Sequence, residues 1–281
     1  MNINCENNSI IISNYRPTLD LDSIADSGQC FRWKKLKDNS YAVVAYEKLL
    51  ILKQSPNRIE LRCTPEEFES IWRNYLDLDY DYYSRIEYIK NIADDQFLID
   101  ATRFSSGIRI LNQDPWESLI SFIISQQNNI PRITGIIDRL CRRCGDIIGT
   151  YQDEDYYSFP TAEQIMDHYL ELKDIGVGFR DKYILEACRR INSGYDLEVL
   201  RNLDAENTVN ELKSFYGVGD KVANCVSLFG LGHKEAFPRD VWINRIIDKY
   251  YDGNFDTSRF EGFSGVVQQY MFYYERSIKH D

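Results

Sequence analysis

Apolar positions in the first hundred residues come in short runs, at 10–12, 30–33, 41–44, 49–52 and 59–61, each bounded by Asp, Asn, Gly, Lys or Pro. Runs of this length, alternating or wholly apolar and separated by turn formers, predict antiparallel strands joined as hairpins. A helix is expected over 65–76, where Thr64 supplies a cap and Glu67 stands three residues further on. From about Asp114 the apolar spacing becomes helical almost throughout. Asp114, Pro115 and Glu117 place a cap, an N1 proline and an N3 acid just ahead of Trp116, Leu119, Ile120 and Ile123. That helix runs out in a polar stretch at 125–129, which reads either as a solvated turn or as a set of groups suited to base edges. Pro131 then opens a helix with the apolar stripe Ile133, Ile136, Ile137, Leu140, Cys141 and Cys144. The expected fold is α+β: an N-terminal antiparallel β-sheet domain over 1–112, then a mostly α-helical domain over 113–281.

Composition narrows the class. A chain of 281 residues with 43% hydrophobic and 27% charged residues can bury a sizeable core, and 15 Gly and 7 Pro leave no long disordered or repetitive segment. The polar start lacks a basic and apolar leader, and no run of about 18 apolar residues occurs, so a soluble, intracellular protein is expected. Its seven cysteines are scattered and odd in number, which fits a reducing compartment better than a disulfide framework. Cys141 and Cys144 form a CxxC, but they lie on a core-facing stripe and a zinc or iron–sulfur site needs a second pair nearby. No metal or other cofactor is expected. A net charge of −11 is unusual for a protein that binds polyanions. The charge is uneven, however: acids crowd 77–81 and 152–155, while Arg132, Arg139, Arg142 and Arg143 share one helix and provide a local basic face.

The chemistry concentrates in LKSFYGVGDKVANCVSLF at 212–229, whose grammar is helix, glycine turn, helix. Gly217 and Gly219 permit positive φ and close backbone approach, and Asp220 is placed to cap a helix beginning at Lys221. Main-chain N–H groups of such a turn form an anion site suited to phosphate. Val222, Cys225, Val226 and Phe229 make a buried stripe with Lys221 at its edge, on the same face as Cys225. The field at a helix N-terminus and partial burial both disfavour an ammonium, and so favour the neutral amine that a nucleophile requires. Taken alone, a surface lysine is the simpler reading. Further along, Pro238, Arg239 and Asp240 precede a helix through Ile243, Ile246 and Ile247. Asp240 is an expected N-cap, and an ionised aspartate there also suits the stabilisation of a developing sugar cation.

Helix, GVG, lysine and P-x-D in this order resemble the helix-hairpin-helix glycosylase superfamily, and within it the 8-oxoguanine DNA glycosylase/lyases. The resemblance spans nearly the whole chain: SGQCFRW at 27–33, QDP at 113–115, NNIPRITG at 128–135, GVGFRDKY at 176–183, GVGDKVANC at 217–225 and PRDVW at 238–242. It implies a TBP-like sheet domain and a bifunctional glycosylase and abasic-site lyase of base excision repair, acting as a monomer on double-stranded DNA that contains 8-oxoguanine, preferentially opposite cytosine. Lys221 would attack the sugar C1′ and form a Schiff base, and Asp240 would support the oxocarbenium-like stage. The main-chain carbonyl of Gly28 would accept the N7 hydrogen that guanine lacks, Phe272 and Cys225 would sandwich the flipped base, and Gln268 would bond its Watson–Crick edge. The segment QQYMFYY around Gln268 and Phe272 reads as core by its spacing alone. Gly217, Val218 and Gly219 would bind phosphate. Gln127 would fill the gap left by the base, Arg132 and Arg180 would read the orphaned cytosine, and Phe179 would be the wedge. Two positions depart from the family: Gln127 stands where it has asparagine, and Trp242 where many members carry a phosphate-contacting histidine. An alkylpurine glycosylase of the same superfamily is disfavoured by Lys221, and a non-catalytic DNA-binding protein by the pair Lys221 and Asp240.

Overall fold

The computed structural model describes residues 1–278 except 7, 8 and 16. Its N-terminal part is a six-stranded sheet built from β1 (Asn2–Glu6), β2 (Ser9–Ser13), β3 (Trp33–Lys35), β4 (Tyr41–Ala45), β5 (Lys48–Ser55) and β6 (Arg58–Arg62). The order is β1-β2-β6-β5-β4-β3 and every pairing is antiparallel. One face buries Ile10, Ile12, Val43, Leu50, Leu52, Ile59 and Leu61 against Leu21 and Ile24 of α1 (Leu21–Asp26) and against Trp72. Trp72 comes from an irregular helix in which α2 (Pro65–Glu67) and α3 (Arg73–Tyr75) flank a π-helical turn, Phe68–Trp72. Thr64 caps it as expected, accepting the Glu67 N–H at 3.2 Å.

Two expectations shift here. Strand β1 was not anticipated, because NINCE offers only Ile3 and Cys5 as apolar positions and lies, mostly exposed, at the sheet edge. The apolar run 30–33 is mostly loop, with β3 starting only at Trp33. Cys30 and Phe31 are buried without being strand residues. The backbone before them is served by side chains instead of a neighbouring strand: Gln113 donates to the Gln29 carbonyl at 2.8 Å and Gln269 to that of Ser27.

The helical part comprises α4 (Tyr82–Ile92), α5 (Gln96–Ser105), α6 (Pro115–Ser125), α7 (Ile130–Cys144), α8 (Ala162–Asp167), α9 (Asp181–Asn192), α10 (Ala205–Leu212), α11 (Asp220–Phe229), α12 (Val241–Tyr250) and α13 (Ser264–Ser277). Helix α6 is its axis, with Leu119, Ile120, Ile123 and Ile124 wholly buried. Asp114 caps it by accepting the Glu117 N–H at 2.8 Å. Although α4 and α5 precede residue 113, their Ile86, Ile89 and Leu98 join the helical core, and α5 packs on α13. Cys141 and Cys144 lie buried on the inner face of α7.

An unanticipated hairpin, β7 (Ile147–Tyr151) and β8 (Glu154–Tyr157), follows α7. Its turn residues Gln152 and Asp153 both have positive φ, 52° and 60°. A two-residue turn of this kind normally signals itself with Asn-Gly or Asp-Gly, so Gln-Asp passes for a solvated acidic cluster. The other acidic cluster is also less exposed than its composition suggests, since Asp77 is buried, accepts from the Tyr82 hydroxyl at 2.7 Å and pairs with Lys234 at 3.2 Å. The two parts of the molecule are joined by Arg32 of the sheet domain, which pairs with Glu117 of α6 at 3.1 Å. Among the described residues no helix is long and apolar enough to cross a membrane.

Candidate active site

A cavity of about 550 Å³ opens where α11, α13, the loop after α1 and the segment before α12 converge. It brings together Gly28, Lys221, Cys225, Asp240, Gln268 and Phe272, six residues drawn from four distant parts of the sequence. Trp242 also lines it, two residues beyond Asp240.

Lys221 stands in the first turn of α11, half-buried, and its Nζ donates to Ser125 Oγ at 2.9 Å. The same nitrogen lies 5.2 Å from the centre of the Phe122 ring, which stacks on Phe229. Its hydrogen-bond acceptor is thus a neutral hydroxyl, while the rings beneath it exclude water. That setting orients the amine toward the cavity without fixing it in an ion pair. Burial pushes the Cys225 thiol up to about 11; Lys221 opposes this shift and Asp240 adds to it. Cys225 therefore offers a neutral, polarisable surface and not a thiolate. Asp240 caps α12 as expected, accepting the Ile243 N–H at 2.8 Å.

The opposite wall is a loop held by α13. Gly28 has φ +78°, and a Cβ there would lie 3.2 Å from Ile130 and 3.3 Å from both Arg276 and Phe272. Only glycine serves such a position without strain. Gln29, buried beneath it, donates to the Arg109 carbonyl and accepts the Leu111 N–H. From α13, Gln269 donates to the Ser27 carbonyl, and Arg276 donates to the Asp26 carbonyl and pairs with its carboxylate at 2.9 Å. Gln268, 4% exposed, carries an Oε1 that has no hydrogen-bond partner. Buried acceptors of this kind are rare and costly in native proteins. Ser125, Phe122 and Arg276 were not singled out in the sequence, since each sits within a stretch whose spacing reads as helix core or polar turn.

The glycine turn is more specialised than its pattern suggested. Gly217 has φ +82°, and a Cβ on it would strike the Tyr183 ring at 2.3 Å. Gly219, in contrast, has φ −100° and a Cβ there would meet nothing within 4 Å. Helix α11 starts at Asp220, one residue earlier than expected, with Gly219 at the cap position and no side chain closing the first turn. Asp220 does not cap; its carboxylate pairs with Lys213 at 2.5 Å. Val218 spends its N–H on the Phe215 carbonyl and buries its side chain. Of the three hairpin residues, Gly219 is the one with open space beside it at a helix N-terminus, where an anion is favoured.

A second group lies on the loop between α6 and α7 and beside it. Gln127 is exposed with φ +49°, an uncommon conformation for a non-glycine residue. Its neighbours in the polar stretch are structural: Asn129 caps α7 by accepting the Arg132 N–H at 3.0 Å, and Asn128 donates to the Ile124 carbonyl. Arg132 is exposed. Arg180 is 3% exposed; Nε donates to the Gln126 carbonyl at 2.9 Å, Nη1 to that of Val177 at 3.0 Å and Nη2 to that of Gln127 at 3.3 Å. Its guanidinium lies over Phe179, itself 46% exposed. Arg132 thus presents its charge outward, whereas Arg180 braces the Gln127 loop.

Residues 10–119 match the family model for the 8-oxoguanine DNA glycosylase N-terminal domain, and residues 120–258 that for the HhH-GPD superfamily base excision DNA repair protein. The chain is 32% identical over 262 residues to the N-glycosylase/DNA lyase of Saccharomyces cerevisiae, covering 83% of this chain and 68% of the yeast protein. Among solved structures, MBOgg1 in complex with a low-affinity DNA ligand superposes with a TM-score of 0.90 at 35% identity, covering 98% of each chain. The Clostridium acetobutylicum 8-oxoguanine glycosylase/lyase, bound to double-stranded DNA containing cytosine opposite 8-oxoguanine, gives 0.88 at 33% identity, again over 98% of each chain.

Proposed function

The chain belongs to the 8-oxoguanine DNA glycosylase family, bifunctional N-glycosylase/DNA lyases of base excision repair, and on that premise we propose that it excises 8-oxoguanine opposite cytosine with Lys221 as nucleophile. The observation that carries the reading is the convergence of a hydroxyl-bound amine, a cap aspartate and a positive-φ glycine on one cavity with room for a flipped base. In this scheme the Lys221 amine bonds to C1′ as the glycosidic bond breaks, and Asp240 stabilises the positive charge that develops on the sugar. The nitrogen then loses its surplus protons, the sugar ring opens to a Schiff base, and β-elimination cuts the strand. Phe272 and the neutral Cys225 hold the two faces of the base, Gln268 its Watson–Crick edge, and the Gly28 carbonyl its N7 hydrogen. An acceptor there penalises guanine, whose N7 carries a lone pair. Borohydride trapping on duplex containing 8-oxoguanine tests substrate and covalent chemistry together. A covalent complex is expected with 8-oxoguanine opposite cytosine and none with guanine, and its absence from the first duplex rejects the reading.

Gln127 is proposed to fill the space left by the base, Phe179 to wedge the stack and Arg132 to read the orphaned cytosine, whose N3 and O2 accept hydrogen bonds once unpaired. Losing one such contact typically costs about 1–3 kcal/mol of discrimination. Arg132→Ala should therefore flatten the preference among opposite bases while sparing 8-oxoguanine over guanine. Arg180 also faces this region, but its donors hold main-chain carbonyls of the loop. Arg180→Ala should accordingly slow excision opposite all four bases. Single-turnover rates against each opposite base check both, and a uniform loss in Arg132→Ala would remove its reading role.

The hairpin is proposed to take a DNA phosphate at Gly219. Gly219→Ala should leave the melting temperature unchanged, because its Cβ enters open space, yet weaken duplex binding by crowding the phosphate. Gly217→Ala should behave in reverse order, destabilising the fold by about 1–3 kcal/mol through its clash with Tyr183 and its positive φ. Melting curves and duplex titrations on the two variants separate these effects; equal affinity in Gly219→Ala and wild type would dismiss the phosphate contact.

A further inference from the structure

We propose that Arg276 is a direct ligand of the flipped base: its Nη1 donates to an oxo oxygen beside N7 and carries part of the charge that the base takes up as its glycosidic bond breaks. The inference rests on reading the cavity as the 8-oxoguanine site.

Arg276 follows Phe272 by one turn of α13 and Gln268 by two, so the three residues share a face and all line the cavity. Half of its guanidinium is committed, with Nη2 on the Asp26 carbonyl and carboxylate. The group lies 5.4 Å from the centre of the Phe272 ring, beside the proposed base-stacking residue. Nη1 is buried and has no hydrogen-bond partner. It stands 3.3 Å from the position a Cβ would take on Gly28 and therefore beside the proposed N7 acceptor. A buried N–H of a charged group without an acceptor is expensive, and an oxygen on the ligand removes that cost. On 8-oxoguanine the oxygens that flank N7–H are O6 and O8. A base whose N7–H faces Gly28 thus presents one of them to Nη1.

The electron count gives this contact a role in the reaction. As C1′ gains its bond to Lys221 Nζ, the C1′–N9 pair leaves with the base, which is then anionic until it takes up the surplus proton of the new C–N nitrogen. That negative charge spreads onto the oxo oxygens. A guanidinium held against one of them interacts more strongly with the departing base than with the neutral bound base, which lowers the barrier.

The prediction separates base release from strand cleavage. Arg276→Gln should slow single-turnover release of 8-oxoguanine by about 10²-fold, the usual loss for one preorganised donor. The same variant should cleave a preformed abasic site at the wild-type rate, because no base occupies the cavity in that reaction. That second reaction also reports whether the variant is folded. Arg276→Lys, which keeps the charge but not the planar fork, should fall between the two. Undiminished base release by Arg276→Gln would overturn the inference, and so would parallel loss of both reactions, which would mark Arg276 as only a brace for the Asp26 loop. A wild-type enzyme that cleaves abasic sites but releases no 8-oxoguanine would instead overturn the reading of the cavity, and this inference with it.

Discussion

Replacing Lys221 with glutamine is expected to abolish base release and borohydride trapping together while leaving duplex affinity nearly intact. An amide has no basic lone pair to attack C1′ and cannot form an imine, so no slower version of the covalent route remains. Glutamine keeps much of the aliphatic stem that packs by Phe122, and its amide can still donate to the Ser125 hydroxyl, which lies 2.9 Å from the amine in the native protein. The proposed phosphate site is main chain, so binding has no reason to follow activity downward. The checks are trapping, single-turnover excision and a duplex titration on the same preparation. Trapping at the wild-type level would move the nucleophile elsewhere in the cavity.

Asp240→Asn is expected to lower turnover by about 10²–10³-fold, the range seen when one preorganised electrostatic group is removed from an active site. The substitution is informative because asparagine caps helices about as well as aspartate. The bond from the Ile243 N–H to the side chain therefore survives, and α12 keeps its start. What is lost is the negative charge, which matters when positive charge develops on the sugar, so kcat should fall with little change in affinity. Asp240→Ala loses charge and cap together and should lose about 1 kcal/mol of stability besides. A stable, fully active Asn variant would confine Asp240 to its structural role.

The helical half of the molecule was legible because its starts carry explicit chemistry. Asp114 and Asp240 cap through side chains placed just ahead of an apolar stripe. The site was legible as residue types, Lys221 with Asp240, and as a family resemblance, but not as a cavity. Ser125 and Arg276 take their meaning from partners in other segments, 96 and 250 residues away, and no local pattern encodes such pairings. Strand β1 and the β7–β8 hairpin escaped notice for another reason. An edge strand with one face to solvent needs no apolar run, and a Gln-Asp turn lacks the glycine that usually announces positive φ. The reading of Gly219 failed in detail because a sequence shows that a glycine is present and not whether φ or free space requires it.

The left-handed backbone at Gln127, braced by Arg180, bears on how a lesion is found. A lesion is one base among very many, so a repair enzyme spends most of its encounters on undamaged duplex while sliding along it. A loop backbone that had to be ordered afresh at each base pair would add an entropic toll to every inspection. Here the strain of about 1–3 kcal/mol is met once, when the protein folds, by carbonyls already bonded to a buried guanidinium. In the role proposed for it, Gln127 reaches each base pair with its backbone already posed, and that part of the ordering is not repeated along the duplex.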